Sequence, residues 1–153
     1  MSMLRPSKKM LFAIEAVLDI AYHAGGEPVQ SREITRRQGI PRRYLEQTLQ
    51  QLVRSGLLVG VRGPRGGYRL ARERRRISVG EIVRVVRAME TPEDPYEDMP
   101  ASELGKNVIR PMWADLAEEI MTRLDAITID DLCMRSYKSG IPSEAHAKLD
   151  FII

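Results

Sequence analysis

The residues best able to do chemistry in this 153-residue chain lie in two short basic segments. Residues 42–47 read RRYLEQ, and residues 62–67 read RGPRGG. Arginine donates to guanine, glutamine pairs with adenine and glutamate accepts from the cytosine amine, so the first segment carries side chains that distinguish bases. Glycine lets a backbone approach a phosphate closely, and arginine matches the phosphate's charge. The two segments therefore predict a DNA interface.

Both segments supply individual candidates for DNA binding. The candidates are Arg42, Arg43, Tyr44, Glu46 and Gln47 in the first segment, and Arg62, Gly63, Arg65, Gly66 and Gly67 in the second. Plain solvation is the alternative for any single arginine, because arginine is usually exposed. Binding is favoured for the set because the basic residues coincide with both elements that a DNA-binding fold would present.

The elements around these segments predict how they are positioned. Apolar periodicity predicts helices over residues 7–24, 32–38, 42–55 and 78–90, and runs of Leu, Val and Tyr predict strands over 57–62 and 68–71. Ser7 and Ser31 are expected N-caps, and Ser78 with Glu81 has capping-box spacing. A helix-turn-helix followed by a hairpin is a winged helix, which places one helix in the major groove and the hairpin tip on the backbone or in the minor groove.

The net charge of +3 hides two halves of opposite sign. Residues 1–90 carry 18 basic and 8 acidic side chains, whereas residues 91–153 carry 6 and 13. A basic module joined to an acidic one indicates that the first half binds a polyanion and the second has another task. No apolar run approaches the roughly 20 residues of a membrane-spanning helix, and no signal-peptide pattern begins the chain. We therefore expect a cytoplasmic protein.

The acidic half is predicted to contain a second helical unit. Residues 91–110 are rich in Pro, Asp and Glu and are expected to form a loop or linker. A long helix is expected from Pro111 to about Ala126, and Thr128 caps a short helix over 129–137. The long helix has apolar residues stepping by three or four, as in a helix-packing seam, namely Trp113, Leu116, Ile120, Leu124 and Ile127. Residues 138–153 form a weakly patterned tail in which Leu149 and residues 151–153 could dock.

Seven blocks between residues 4 and 137 carry a family resemblance. They are Ser7-Lys8, AIEAVLDIA at 13–21, QGIPRRYLEQ at 38–47, Gly56-Leu57, VRGPRGGY at 61–68, ISVGEI at 77–82 and WADLAEEIMTRLDAITIDDL at 113–132. In this order they resemble the Rrf-two (Rrf2) family of bacterial transcription regulators. The resemblance implies a mainly α fold with a small β-hairpin: a winged helix-turn-helix domain plus a long C-terminal dimerisation helix.

The family resemblance also implies roles for particular residues. By position, Tyr44, Glu46 and Gln47 match reading-helix residues and Arg62 matches the wing arginine that enters the minor groove, while Ser7 and Lys8 join the DNA-binding candidates. In the implied homodimer the long helix of each chain crosses onto its partner, so the seam mediates dimerisation and the two reading helices face successive major grooves of a palindromic operator. Arg42 and Arg43 replace smaller polar residues common in the family, so the family's operator preference is not carried over.

The acidic segment departs from the family pattern. Members that bind an iron–sulfur cluster have three cysteines there, whereas this chain has Pro95, Ala101, Asn107 and Arg110 at approximately those places. A cluster of that type would lack ligands, so we predict no cofactor. The carboxylates of Glu93, Asp94, Glu97, Asp98 and Glu103 could bind a hard cation, but loose acidic loops are usually solvated, and we predict no metal site.

The single cysteine, Cys133, leaves two interpretations open. One thiol supplies only one metal ligand and is most simply a buried small hydrophobe. The alternative is a redox-active thiol that alters the dimer through an intersubunit disulfide or an oxidised sulfur.

The sequence thus predicts a sequence-specific DNA-binding transcription regulator, a repressor acting as a homodimer. The chain has no nucleophile–histidine pair and no clustered carboxylates on structured elements, so it is not expected to be an enzyme. An alternative is a regulator that signals mainly through a protein partner such as a metabolic enzyme, as one member of the family does. Redox sensing through Cys133 is a further alternative.

Overall fold

The computed structural model describes residues 5–90 and 96–145. Its helices are α1 (Lys8–His23), α2 (Ser31–Gln38), α3 (Arg42–Arg54), α4 (Val79–Met89), α5 (Arg110–Ala126) and α6 (Ile129–Lys138). Between α3 and α4, the strands β1 (Leu58–Val61) and β2 (Gly67–Leu70) form an antiparallel hairpin. This order confirms the predicted mainly helical fold with one small hairpin. No helix in the described ranges is long and apolar enough to cross a membrane.

The main core forms where α1, α3 and α4 meet beneath the hairpin. Ile20 of α1, Leu49 of α3 and Ile82 of α4 are fully buried, and Leu58 of β1 is nearly so. Burying an aliphatic side chain of this size contributes about 1.5–3 kcal/mol each. Because the apolar face of α3 is committed to this core, its opposite face is left to solvent.

Short-range capping defines the helix starts that the sequence predicted. The backbone N–H of Met10 donates to Ser7 Oγ at 3.2 Å at the start of α1. Ser78 and Glu81 form the expected capping box on α4, and Thr128 and Asp131 form another on α6. Such a cap contributes about 1 kcal/mol, because it satisfies backbone donors that the first turn leaves unpaired.

The predicted cap of α2 is wrong by one residue. Gln30, not Ser31, precedes the helix, and Ser31 is its first helical residue. The backbone N–H of Gln30 donates to the Glu33 carboxylate at 2.9 Å, while the Gln30 carbonyl accepts from the backbone N–H of Glu33. Glu33 therefore fixes the start of the helix one residue earlier than serine preference alone suggested.

The predicted start of the long helix also needs correction. Helical residues occur at 103–104, and a π-helical turn over Gly105–Ile109 leads directly into α5. Ser102 provides the local cause, because its hydroxyl accepts from the backbone N–H of Gly105 at 3.0 Å and its carbonyl accepts from Lys106 at 2.9 Å. Part of the segment expected to be loop, residues 103–110, is therefore helical.

Two predicted features fall outside the described residues. These are the start of the acidic loop, with Glu93, Asp94 and Pro95, and the apolar end of the tail, with Leu149 and residues 151–153. The preceding part of the tail is described, and it contacts the N-terminal half. Ser143 Oγ donates to the carbonyl of Tyr22 at 2.6 Å, and Glu144 accepts from Arg37 at 2.7 Å.

A buried ion pair fixes α2 on α1. Arg37 donates two hydrogen bonds to the carboxylate of Asp19, at 2.7 and 2.8 Å, and Gln38 adds a third at 2.8 Å. The side chain of Asp19 is fully buried and that of Arg37 is 9% exposed. Removing one partner of such a pair leaves an uncompensated buried charge, which costs about 3–5 kcal/mol. The first helix of the helix-turn-helix is thus held in one orientation.

Candidate nucleic-acid interface

The N-terminal end of α3 presents the predicted base-reading residues to solvent. Leu45, in the middle of this segment, is buried in the core. The predicted readers around it are all exposed, namely Arg42, Arg43, Tyr44, Glu46 and Gln47. Helical spacing places 43, 46 and 47 away from the buried stripe, whereas Arg42, three residues before Leu45, lies at its edge. The sequence prediction that these side chains are available for base contacts is therefore compatible with the packing of α3.

Two contacts hold side chains at the N-terminal end of α3, the proposed reading end, in the free protein. Arg42 Nε donates to Glu46 Oε1 at 3.0 Å, and Lys9 Nζ lies 5.7 Å from the centre of the Tyr44 ring. Lys9, on α1, is a basic residue beside this surface that sequence reasoning missed in favour of its neighbour Lys8, which is also exposed. Ser7, another predicted DNA contact, already uses its hydroxyl as the α1 cap and as a donor to Glu90 at 3.3 Å.

The hairpin forms a wing whose tip spans residues 62–66. Arg62 and Arg65 are exposed and, within the part of the chain that the structure describes, form no ion pair. Gly66 closes the tip, because its N–H donates to the carbonyl of Gly63 at 2.9 Å. A Cβ on Gly66 would overlap the Val61 carbonyl oxygen, and one on Gly67 would overlap that of Val29. These two glycines therefore have a packing role, in addition to the predicted close approach to phosphate.

The wing is fixed to the turn that precedes α2. Val29 and Tyr68 exchange two backbone hydrogen bonds, at 2.8 and 2.9 Å. Farther out, Gln30 Nε2 donates to the carbonyl of Pro64 at 3.3 Å. An open cleft of about 570 Å³ remains between the start of α2, the start of α3 and the wing. Its lining includes Ser31 and Arg32, which lie outside the two basic segments predicted from the sequence.

Ion pairing separates the arginines of the basic half into two groups. Those that pair with carboxylates within the chain are Arg36, Arg37, Arg42, Arg72, Arg74, Arg75 and Arg84. In the described ranges, the arginines of this half without such a partner include Arg32, Arg43, Arg62 and Arg65, and also Arg54, Arg69, Arg76 and Arg87. Part of the uncompensated positive charge therefore lies around the start of α2, the start of α3 and the wing tip, where it would attract a polyanion.

The predicted seam of the long helix is largely uncovered in the single chain. Trp113 is 42% exposed and Leu116 is 39% exposed, and Ile127 is at a similar level. Ile120 and Leu124 are half-buried, and Leu124 packs on the core. No described residue of α5 itself is buried. The seam thus splits into an outer part facing solvent and an inner part facing α4.

The sequence of this chain is similar to those of known transcription regulators. A family model described as "Rrf2: Iron-dependent Transcriptional regulator" matches residues 6–135. The chain belongs to the Rrf2 family. It is similar to the HTH-type transcriptional regulator IscR of Vibrio cholerae, with 34% identity over 137 residues covering 86% of this chain and 76% of the relative.

Solved structures of Rrf2-family proteins have the same fold. T. potens IscR has a TM-score of 0.74 and 33% identity, covering 92% of this chain and 94% of that one. CymR, the global cysteine regulator of B. subtilis, has a TM-score of 0.70 and 29% identity, covering 87% and 98%. This Rrf2-family chain is therefore a DNA-binding transcription regulator of the winged-helix type and not an enzyme, as the sequence predicted.

The residues of this Rrf2 protein do not supply the ligands of a three-cysteine iron–sulfur cluster. At the positions compared with cluster ligands, Ala101 is exposed, Asn107 lies in the π-helical turn and the Arg110 guanidinium stacks 4.4 Å from the centre of the Tyr96 ring. Among the described residues, no three His, Cys, Asp or Glu side chains converge as metal ligands. The donor set present does not fit a three-cysteine cluster.

Cys133 lies apart from that segment, in α6. Its side chain is buried, and burial raises the pKa of the thiol. It lines a pocket of about 320 Å³ between the end of α1 and α6. A buried thiol with a raised pKa carries little thiolate near neutral pH, which favours the inert interpretation over the redox one.

Proposed function

We propose that this Rrf2-family regulator is a repressor that binds a palindromic operator sequence-specifically as a homodimer. The observation that carries the proposal is the fixed arrangement of the α3 reading end beside the wing tip. Arg43 on α3 and Arg62 and Arg65 on the wing form no ion pair in the described ranges, and the hydrogen bonds between Val29 and Tyr68 hold the wing beside the helix-turn-helix. A helix and a wing in rigid register suit one major groove and its flanking backbone.

Dimer formation is supported by the outer part of the α5 seam. Trp113 and Leu116 together with Met112, Val108 and Ile109 leave large apolar side chains in water. Covering them with the same helix of a second chain would bury this apolar surface at about 25 cal/mol per Å². Two-fold pairing would give two reading helices for the two half-sites of a palindrome.

Repression and a cytoplasmic site of action complete the proposal. A dimer that occupies an operator can exclude other proteins from the same DNA, which makes repression the simplest consequence of binding. Because its proposed target is DNA, we propose that the protein acts in the cytoplasm.

Selection from a random duplex pool by the purified protein, at stated salt concentrations, tests this function. We expect enrichment of a palindrome whose half-sites are separated by about one helical turn, roughly 34–36 Å. The double variant Arg62→Ala/Arg65→Ala, which keeps the α3 readers and removes the wing charges, should bind more weakly but enrich the same base sequence in the α3-contacted positions. Recovery of unrelated sequences by the wild-type protein, or of a single half-site, would contradict the proposal.

The two alternatives remain separate hypotheses. A regulator acting mainly through a protein partner should still capture that partner when Arg43, Arg62 and Arg65 are neutralised. A redox regulator should lose peroxide sensitivity of operator affinity in Cys133→Ser. Identical peroxide responses of the wild type and Cys133→Ser would remove the redox hypothesis.

A further inference from the structure

The cleft between α2 and the wing brings together basic residues from three different elements. Arg32 comes from the first turn of α2, Arg42 from the first turn of α3 and Arg62 from the wing. Ser31 and Gln30 complete the polar lining, and Gln30 spans the cleft to the Pro64 carbonyl. Three guanidinium groups from separate parts of the sequence therefore line one open concavity of about 570 Å³.

Within the described chain, this cleft has positive charge without matching negative charge. None of the residues that line it is acidic. Arg32 and Arg62 form no ion pair among the described residues, and Arg42 is paired only with the exposed Glu46. Like charges in one concavity repel each other and focus the potential, so an anion placed there relieves repulsion and gains attraction.

The geometry points to this cleft as the seat of one backbone phosphate of bound DNA, with Arg32 as a phosphate-contacting residue. This inference rests on the proposed function, because the cleft lies between the reading end of α3 and the wing tip. Arginine and serine are both common phosphate donors, and the volume leaves room for a phosphodiester with its sugars. A phosphate there would also compete with Glu46 for Arg42 and so release the Glu46 carboxylate toward a base.

Arg32→Ala tests the contact, with Arg135→Ala as the matched control. Both arginines are exposed and without an ion pair in the described ranges, but Arg135 lies on α6 away from the cleft. We expect Arg32→Ala to weaken operator binding by roughly ten- to a hundredfold at low salt, and to lower the slope of log K against log salt by about 0.9. Arg32→Lys should keep most of that slope, which excludes misfolding as the cause.

Methylphosphonate linkages, which remove the charge of one phosphate at a time, locate the contact. In the wild-type protein, one linkage per half-site should weaken binding strongly, and that linkage should cause no further loss in Arg32→Ala. Equal losses in both proteins at every linkage, or a slope for Arg32→Ala equal to that of Arg135→Ala, would overturn the inference. Failure of the wild type to bind any duplex would instead refute the proposed function.

Discussion

Arg42 and Glu46 pair with each other across one turn of α3, the Nε of Arg42 donating to Oε1 of Glu46 at 3.0 Å. Both are predicted to contact DNA, yet in the free protein their side chains are paired with each other. The two side chains are 79% and 49% exposed, so solvent screens the pair and it adds only about 0.5 kcal/mol to stability. The pair can therefore open at little cost when DNA offers competing partners.

Glu46→Gln should change base preference with little effect on stability. A carboxylate accepts from the cytosine amine, whereas a glutamine amide pairs with adenine, so the preferred base at one position per half-site should shift. Selection from a random pool with each protein measures the shift. Glu119→Gln, an exposed carboxylate on α5, is the control that should leave the operator unchanged. Identical enriched sequences for Glu46→Gln and wild type would contradict this reading role.

Arg65→Ala should weaken binding to all duplexes about equally and lower the salt slope by about 0.9. The reason is that Arg65 is exposed at the wing tip without a carboxylate partner in the described chain. Arg75→Ala is the matched control, because Arg75 is also exposed but pairs with Glu73 at 2.6 Å. Fluorescence anisotropy over a salt series measures both slopes. The wing assignment fails if the two variants have the same slope as wild type.

Gly80→Ala should destabilise the junction between α4 and α5. A Cβ at Gly80 would overlap the carboxylate of Asp125 and approach its backbone nitrogen. The carboxylate can turn aside only by giving up its two hydrogen bonds from Arg84, at 2.6 and 2.7 Å, and the backbone nitrogen, 2.9 Å from the new Cβ, cannot move without shifting α5. We expect the free energy of unfolding to fall by about 1–3 kcal/mol in denaturant titrations. Gly60→Ala, where no atom lies within 4 Å of the new Cβ, should have a much smaller effect.

His23 should make stability depend on pH. Its Nδ1 accepts from the backbone N–H of Glu144 at 3.1 Å. Burial is the main cause that lowers the pKa of His23; Asp19 and Glu144 oppose the shift, and Arg37 and Arg36 add to it. A histidine whose folded pKa lies below its unfolded value, about 6.5, binds a proton more readily when unfolded. The contribution of neutral His23 to the free energy of unfolding is therefore complete above about pH 6.5. It is lost as the pH falls from there through the folded pKa.

His23→Asn should flatten this pH dependence. Asparagine offers an acceptor oxygen near the position of Nδ1 but does not titrate. Urea unfolding between about pH 7 and pH 5 should therefore show a smaller loss of stability in His23→Asn than in wild type. Equal slopes for the two proteins would show that His23 is not responsible.

Leu116→Glu should convert a dimer into monomers by placing a charge in the α5 seam. The side chain is 39% exposed in the single chain, so the monomer should keep its fold while the proposed interface loses apolar contact and buries a carboxylate. Sedimentation velocity measures the mass. Val59→Glu, on the exposed face of β1, is the control that should leave the assembly unchanged. A wild-type protein that sediments as a monomer would refute the proposed dimer.

The sequence alone determined the elements, because their causes are local. Ser7 caps α1, and the capping boxes of Ser78 and Thr128 start α4 and α6, each through contacts three residues away. The buried stripe of α3 likewise follows from helical spacing, and it leaves the predicted readers on the outer face. The predicted starts of α2 and of the long helix are wrong because other local hydrogen bonds start these helices earlier. Gln30 pairs with Glu33, and Ser102 accepts from Gly105.

Only the tertiary structure decided which charges are available. Arg37 and Arg84 look like DNA-contacting residues by composition, yet they bind Asp19 and Asp125, which lie 18 and 41 residues away in the chain. Arg32, by contrast, has no carboxylate partner in the described ranges and joins the wing across a cleft. The physical reason is that a charge is cancelled by whatever lies within a few ångströms of it, and such partners depend on how the helices pack, which local sequence patterns do not specify.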